Sequence, residues 1–199
     1  CSKILFNPNC EAGLVEALEK QLQKPGYHCR PIMLGANTDP YQPIEKTHRL
    51  SRKVLEVLRE HQHPFAIVTK SSMVLRDLDI LAPMAQKGLV SVAVSVTTLD
   101  RHLSRKLEPR ASMPEKRLQT IQQLSQAGVP ATVFASPMIP FLNDAELEAI
   151  LQAGAEAGAT SAAYTLLRLS MELKGLFADW LNIHAPGKKD HVLSLIRQN

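Results

Sequence analysis

Apolar, β-branched runs alternate with amphipathic segments along most of this chain. The runs cover 31–36, 65–70, 89–96, 130–136 and 161–167, and their length and Val/Ile/Leu content predict five β-strands. Between them the apolar spacing becomes that of a helix. Leu50, Val54, Leu55, Val57 and Leu58 form a stripe within 47–61, and Leu118, Ile121, Leu124 and Ala127 form one within 115–127. Leu147, Ile150 and Leu151 repeat the pattern in 144–157, as do Leu173, Leu176, Phe177, Trp180 and Leu181 in 171–184. Strands alternating with helices at this spacing imply parallel βαβ units. No linker, repeat array or low-complexity segment interrupts the pattern, so a single α/β domain over 1–199 is expected.

Local chemistry marks several boundaries. Ser112 and Glu115 fit a capping box with Pro114 in the first turn. Asn143 and Glu146 fit a second, with Asp144 adding negative charge near that helix's positive end. Gly88, Gly128 and Gly158 stand where left-handed residues close helices before strands. Both an open doubly wound sheet and a full or partial β/α barrel fit this order of elements. Over 90–96 the even positions are all Val, while the odd ones are Ser91, Ala93 and Ser95. A valine face toward helices and a small, polar face inward suit a lumen that holds a ligand. Strands of a doubly wound sheet, covered on both faces, read as continuously apolar. The alternation therefore favours a partial, open β/α barrel of parallel strands with helices outside.

Composition narrows the class. At 45% hydrophobic and 21% charged residues the chain is neither disordered nor collagen-like. With 5% aromatics its core must be built from Val, Leu, Ile and Ala. No run approaches the ~18–20 apolar residues of a spanning helix, so no membrane partner is expected. The net charge of +4, from 23 basic and 19 acidic side chains, permits an anionic partner without demanding one. Cys1, Cys10 and Cys29 are odd in number and follow no signal peptide, which points to a reducing, cytoplasmic setting. Without a CxxC pair they read as small hydrophobes rather than metal ligands. A chain that begins with Cys1 rather than Met is expected to be a fragment or a processed product.

In parallel α/β folds chemistry sits at the carboxyl ends of the strands. Those ends are polar here: Gly35-Ala36-Asn37-Thr38-Asp39-Pro40, Thr69-Lys70-Ser71, Ser95-Val96-Thr97-Thr98, Ser136-Pro137-Met138-Ile139-Pro140 and Leu167-Arg168. A period of two turns Asn37, Lys70, Ser95, Ser136 and Arg168 inward. Lys70 at the end of an apolar strand either pairs with a carboxylate, meets an anionic ligand or snorkels at the rim. Asp39 either faces a ligand or caps an Asx-turn. Arg168, after Leu166 and Leu167, calls for an anion. Leu107-Glu108-Pro109-Arg110 reads as a solvated loop with a local ion pair. His61 and His63 belong to no HxxxH or HExxH arrangement, and GxGxxG, Walker and GxSxG motifs are absent from the sequence.

Together, the ordered strand-end segments resemble the radical S-adenosylmethionine superfamily. They are Gly35-x-Asn37-Thr38-Asp39-Pro40-Tyr41-Gln42-Pro43-x-Glu45, Val68-Thr69-Lys70-Ser71, Val94-Ser95-Val96-Thr97-Thr98 and Leu107-Glu108-Pro109-Arg110. Within that superfamily they are similar to the DNA repair photolyase or spore-photoproduct-lyase-like group. The similarity runs from residue 3 to the chain end, through Pro137-x-Ile139-Pro140-x-Leu142-Asn143-Asp144 and Leu193-Ser194-Leu195-Ile196-Arg197-Gln198. The resemblance implies a six-stranded partial barrel that binds S-adenosylmethionine and cleaves it reductively to a deoxyadenosyl radical. It places Thr38 and Asp39 by the methionine amine, Lys70 and Ser95 by the carboxylate or ribose, the segment Met138–Pro140 by the adenine and Arg168 at the last strand end, with Asn37 also among the cofactor-binding residues. No catalytic residue is assigned.

The family's four-iron four-sulfur cluster is held by a CxxxCxxC loop after the first strand, and this sequence contains no such loop. That strand and loop are therefore expected upstream of Cys1, and this chain alone is expected to be inactive and to carry no cluster. A missing neighbour would leave Ile32 and Leu34 exposed and open that edge to self-association. Damaged DNA is the substrate class that the lyase group suggests. Two alternatives use the same residues: a barrel aldolase with Lys70 as Schiff-base lysine, and a non-catalytic nucleic-acid-binding module with steeply salt-dependent affinity.

Overall fold

A computed structural model describes residues 8–198, with side-chain surroundings for 13–196 other than Met171. The elements follow as α1 (Pro8–Leu22), β1 (Ile32–Leu34), α2 (Glu45–His48), α3 (Leu50–Glu60), β2 (Phe65–Thr69), α4 (Leu78–Gln86) and β3 (Val90–Ser95). They continue as α5 (Arg101–Leu107), α6 (Pro114–Gln126), β4 (Ala131–Met138), α7 (Leu147–Glu156), β5 (Ser161–Leu166), α8 (Met171–His184) and α9 (Lys189–Gln198). The strands form one sheet in the order β1-β2-β3-β4-β5, with every neighbouring pair parallel. Right-handed crossovers that always step the same way put the crossover helices α3, α4, α6 and α7 on one side of the sheet. This is the singly wound order of an open barrel, not the reversing order of a doubly wound sheet.

Burial follows the alternation seen in the sequence. Phe65, Ile67, Val92, Val94, Ala131, Val133 and Ala135 are buried in one core with Leu55, Leu58, Ile80, Leu81, Ile121, Leu124 and Ile150 of the surrounding helices. The register sets Ala66 beside Ser91, Val68 beside Ala93, and Ser95 beside Phe134 on the opposite, concave face. The expected left-handed glycines are confirmed, with φ of 69° at Gly88, 74° at Gly128 and 91° at Gly158.

Several expectations are corrected. β1 spans three residues rather than 31–36, and β4 runs on to Met138 through an irregular register at Ala135/Met138. Ile32 and Leu34 are not the exposed residues of β1; both pack half-buried against the main core, and Met33 between them is 55% exposed. Alternation explains this, since neighbouring residues of a strand point to opposite faces. Ser112 and Glu115 make no capping box. The cap position is Met113, while the Ser112 hydroxyl accepts from the Ser72 amide (3.3 Å) and Glu115 pairs with Arg101 (3.2 Å).

α8 and α9 close a second, smaller core. Leu181 and Val192 are buried there with Ile139, and Leu107, Leu142, Leu167, Phe177 and Trp180 pack around them. Because Leu107, Ile139 and Leu167 lie just past β3–α5, β4 and β5, this helix pair sits by the carboxyl ends of the strands.

Candidate functional site

The site is assembled at those carboxyl ends, beginning with β1. Gly35 has φ +98°, and a Cβ there would stand 2.0 Å from the Val68 carbonyl oxygen. Only glycine lets the chain leave β1 so close to β2. Asn37 follows, exposed, and the Thr38 hydroxyl accepts from Gln42 Nε2 (2.6 Å). Asp39 is more committed. Its Oδ1 accepts from the Tyr41 amide (2.8 Å) and the Thr69 hydroxyl (2.7 Å), and its Oδ2 accepts from the Lys70 amide (2.7 Å). The Asx-turn is therefore real, and the same carboxylate also ties the end of β1 to the end of β2. Expected as a partner for a ligand ammonium, Asp39 spends both oxygens on the fold.

A second layer secures this loop. The Tyr41 hydroxyl donates to Asp77 Oδ2 (3.0 Å), Arg76 bridges Asp77 and Glu45 (2.9 Å each), and Arg52 joins Asp77 (3.0 Å) to Asp79 (2.6 Å). Burial, reinforced by the Asp77 charge, pushes the Tyr41 hydroxyl well above the ordinary phenol range. The segment from Asn37 to Glu45 is thus held as one preformed piece.

The ends of β2 and β3 carry the main charge cluster. The Lys70 ammonium pairs with Glu108 Oε1. Glu108 Oε2 accepts from Arg117 Nη2 (2.6 Å) and the Thr97 hydroxyl (3.2 Å). Arg117 is only 1% exposed, and it donates from Nη1 to the Ser95 carbonyl (3.0 Å) and from Nε to the Ser112 carbonyl (2.6 Å). Burial raises the Glu108 carboxyl, but the Arg117 and Lys70 charges outweigh it and hold the group below its usual range. Glu108 is consequently no solvated loop residue, as the sequence suggested, but the centre of this cluster. The missed signal was on α6, where Arg117, Ile121 and Leu124 share one face. A cation on a buried face requires a buried anion.

Asn143 and Glu146, expected to cap a helix, reach across to other strand ends instead. Asn143, fully buried, accepts from the Ile139 amide (2.6 Å) and donates to the carbonyls of Thr97 (2.6 Å) and Pro137 (3.2 Å). Glu146 accepts from the Thr98 hydroxyl (2.5 Å) and the Leu99 amide (2.7 Å). The β3–α5 loop had polar groups to satisfy, and these side chains answer them in preference to their own helix. Met138 is also corrected: its side chain is buried in the main core and makes no wall of the mouth. Beyond it Phe141, at φ +65°, is half exposed against His191 (4.5 Å between rings) and Lys188 (5.3 Å). Ser136 faces Thr165 across β4 and β5 (2.5 Å). Arg168 is exposed past β5 and stands outside the Lys70–Glu108–Arg117 cluster.

Asp39 meets the Lys70 amide directly, and the Lys70 ammonium is linked to the Ser95 carbonyl through Glu108 and Arg117, whereas Met138 and Arg168 are not in this network. A cavity of about 300 Å³ opens beside β1, between α1 and α3, and is lined by Asn37, Thr38 and Asp39 with Leu14, Met33 and Val54. Lys70 and Ser95 are not among its lining residues. The cavity and the charge cluster are two places, joined by Asp39.

A singly wound parallel sheet with a polar, cross-tied mouth makes this an open β/α-barrel protein. The sequence profile of the radical SAM superfamily matches residues 10–153, and the chain belongs to that superfamily. An uncharacterised protein of Mycobacterium tuberculosis is 33% identical over 186 residues, covering 88% of this chain and 55% of its own length. An uncharacterised protein of Methanocaldococcus jannaschii is 31% identical over 115 residues, 58% of this chain and 43% of its own. The chain thus spans about half the length of the curated relatives it matches. Among solved structures, a spore photoproduct lyase mutant with bound AdoMet and dinucleoside spore photoproduct superposes with a TM-score of 0.62 at 16% identity, over 85% of this chain and 50% of that one. Streptococcus suis SuiB bound to S-adenosylmethionine gives 0.60 at 11%, over 86% and 41%. At such identities the likeness is one of fold.

The superfamily's cofactors are S-adenosylmethionine and a four-iron four-sulfur cluster. The cluster needs three thiolates, and the residues present do not fit it. Among the described residues the thiol is that of exposed Cys29, and no group of three His, Cys, Asp or Glu side chains is placed to hold a metal ion. Cys1 and the side chain of Cys10 lie outside the described residues. Among the described residues no helix is long and apolar enough to cross a membrane.

Proposed function

We propose that this chain is the S-adenosylmethionine-holding portion of a radical S-adenosylmethionine enzyme, with Lys70 as the cation for the methionine carboxylate. The observation that carries this is the Lys70–Glu108–Arg117 cluster at the ends of β2 and β3. Two cations and one carboxylate leave a single net positive charge, matching one carboxylate of a small ligand. Lys70 keeps 32% of its side chain exposed, so its remaining donors reach the mouth. Ser95, beside Phe134 on the concave face, offers a hydroxyl to the carboxylate or ribose, and Asn37 and Thr38 line the approach from β1. Nucleic acid with a damaged base is the substrate class we favour for the whole protein, on the strength of the fold shared with spore photoproduct lyase. The cluster's thiolates are assigned to a part of the protein outside this chain. An aldolase would need Lys70 in an apolar surrounding; facing Glu108, it has none.

Calorimetry tests the binding role. Lys70→Ala weakens S-adenosylmethionine binding by about 1–3 kcal/mol, the range for a lost charge-assisted hydrogen bond. Lys70→Arg does not restore it, because a planar fork has a different reach. Unchanged affinity in both variants would make Lys70 a rim residue and end this proposal.

A further inference from the structure

We infer that Glu108 is the positioning residue of this site: it holds the Lys70 ammonium in its working place before any ligand arrives, and so raises affinity for a ligand carboxylate without touching it. The inference rests on the function proposed above. Lysine ends a flexible four-carbon stem, and a ligand that must order such a side chain gives up part of its own binding free energy. Here the ordering is done in advance. Glu108 Oε1 takes one of the three ammonium donors, which leaves two for the mouth.

The geometry also answers the obvious objection, that a carboxylate next to Lys70 repels an incoming anion. Glu108 Oε2 is bound by Arg117 at 2.6 Å, and Arg117 is itself fixed by the Ser95 and Ser112 carbonyls. The negative charge is therefore matched on its inner side, and the cluster stays net positive toward the mouth. Thr97, at 3.2 Å from the same oxygen, sets the rotation of the carboxylate. Glu108 thus has two tasks, counter-ion to buried Arg117 through Oε2 and holder of Lys70 through Oε1; Pro109 and Arg110 after it are exposed.

The test compares two probes on the same protein. S-adenosylmethionine carries the carboxylate; 5′-methylthioadenosine keeps the adenosine and lacks it. Glu108→Gln retains size but has a single acceptor oxygen, so once that oxygen meets Arg117 its NH2 group faces Lys70 and cannot hold the ammonium. It should weaken S-adenosylmethionine binding about 3- to 10-fold, the order set by ordering one long side chain, and leave 5′-methylthioadenosine binding unchanged. A purely structural role would weaken both probes alike. A mere counter-ion would give tighter S-adenosylmethionine binding in Glu108→Gln. Either result overturns the inference and leaves the proposed function standing. Should Glu108→Gln fail to fold, Thr97→Val removes the hydroxyl that orients Glu108 and keeps every charge; it should show the same one-sided loss, and equal or no loss for the two probes overturns the inference. If the unaltered protein binds neither probe, the proposed function falls, and the inference with it.

Discussion

At the scale of single residues, the polar side chains at the strand ends serve the fold first. Asp39 accepts three hydrogen bonds from two elements, so Asp39→Ala should cost about 1–3 kcal/mol of stability, the penalty for leaving such donors unpaired. Denaturant unfolding measures it. Asp39→Asn keeps the Oδ1 acceptor and should cost less; a loss of ligand affinity in that variant with full stability would return Asp39 to the ligand. Arg117 is the more severe case. Arg117→Met leaves Glu108 with only Lys70 and Thr97, and removing one partner of a buried pair costs about 3 kcal/mol or more. Glu108 also makes stability depend on pH. Its carboxyl sits below the usual range when folded, so its contribution is complete above the unfolded value of about 4.3 and is lost as pH falls through the folded value. The stability difference between the unaltered protein and Glu108→Gln should therefore shrink on acidification below about pH 4.3, as measured by urea unfolding from neutral pH downward.

Among the elements, what could be read from sequence was whatever a local period encodes. The valine/serine alternation of β3 gave the face, and with it the barrel. The glycines at 88, 128 and 158 gave helix ends, because a left-handed residue is a local requirement. Most partners chosen across the chain stayed hidden; the pairing of Lys70 with Glu108 is the one that strand-end chemistry suggested. Asn143 and Glu146 have capping-box spacing, yet their bonds go 46 and 48 residues back, to Thr97 and Thr98; spacing says nothing of that distance. Met138 was expected at the mouth from the resemblance alone, but past the irregular register at Ala135/Met138 its side chain is buried in the core. Gly35 stood unremarked at the end of the expected strand 31–36, whereas its backbone lies against that of β2. Gly35→Ala should accordingly be far more damaging than Gly88→Ala. At Gly88 a Cβ meets nothing within 4 Å, so the cost is the left-handed penalty of about 1–2 kcal/mol. Comparable midpoints for the two variants in thermal unfolding would show that β1 can move away from Val68.

On the scale of the whole molecule, two apolar cores of unequal size predict two stabilities. The main core unites β1 to β4 with α3, α4, α6 and α7, whereas the second rests on Ile139, Leu181 and Val192 with their half-buried neighbours. Its helix α8 leaves Leu173, Leu176 and Ile183 exposed, so less of its apolar surface is withdrawn from water. Buried apolar area is the principal source of local stability, and a region with little of it opens first. Trp180 is the one tryptophan in the chain, and it lies in the smaller core, with its indole N–H on the Lys106 carbonyl at 3.1 Å. Its fluorescence therefore reports the α8–α9 unit, while far-ultraviolet circular dichroism reports the whole backbone, most of whose helices and strands belong to the main core. In a urea titration the fluorescence transition should come at lower denaturant than the dichroism transition. Leu181→Ala should shift the first and leave the second, and Ile80→Ala should shift the second. Coincident transitions in the unaltered protein and in both variants would instead mean that Ile139 and Trp180 couple the two cores into one cooperative unit.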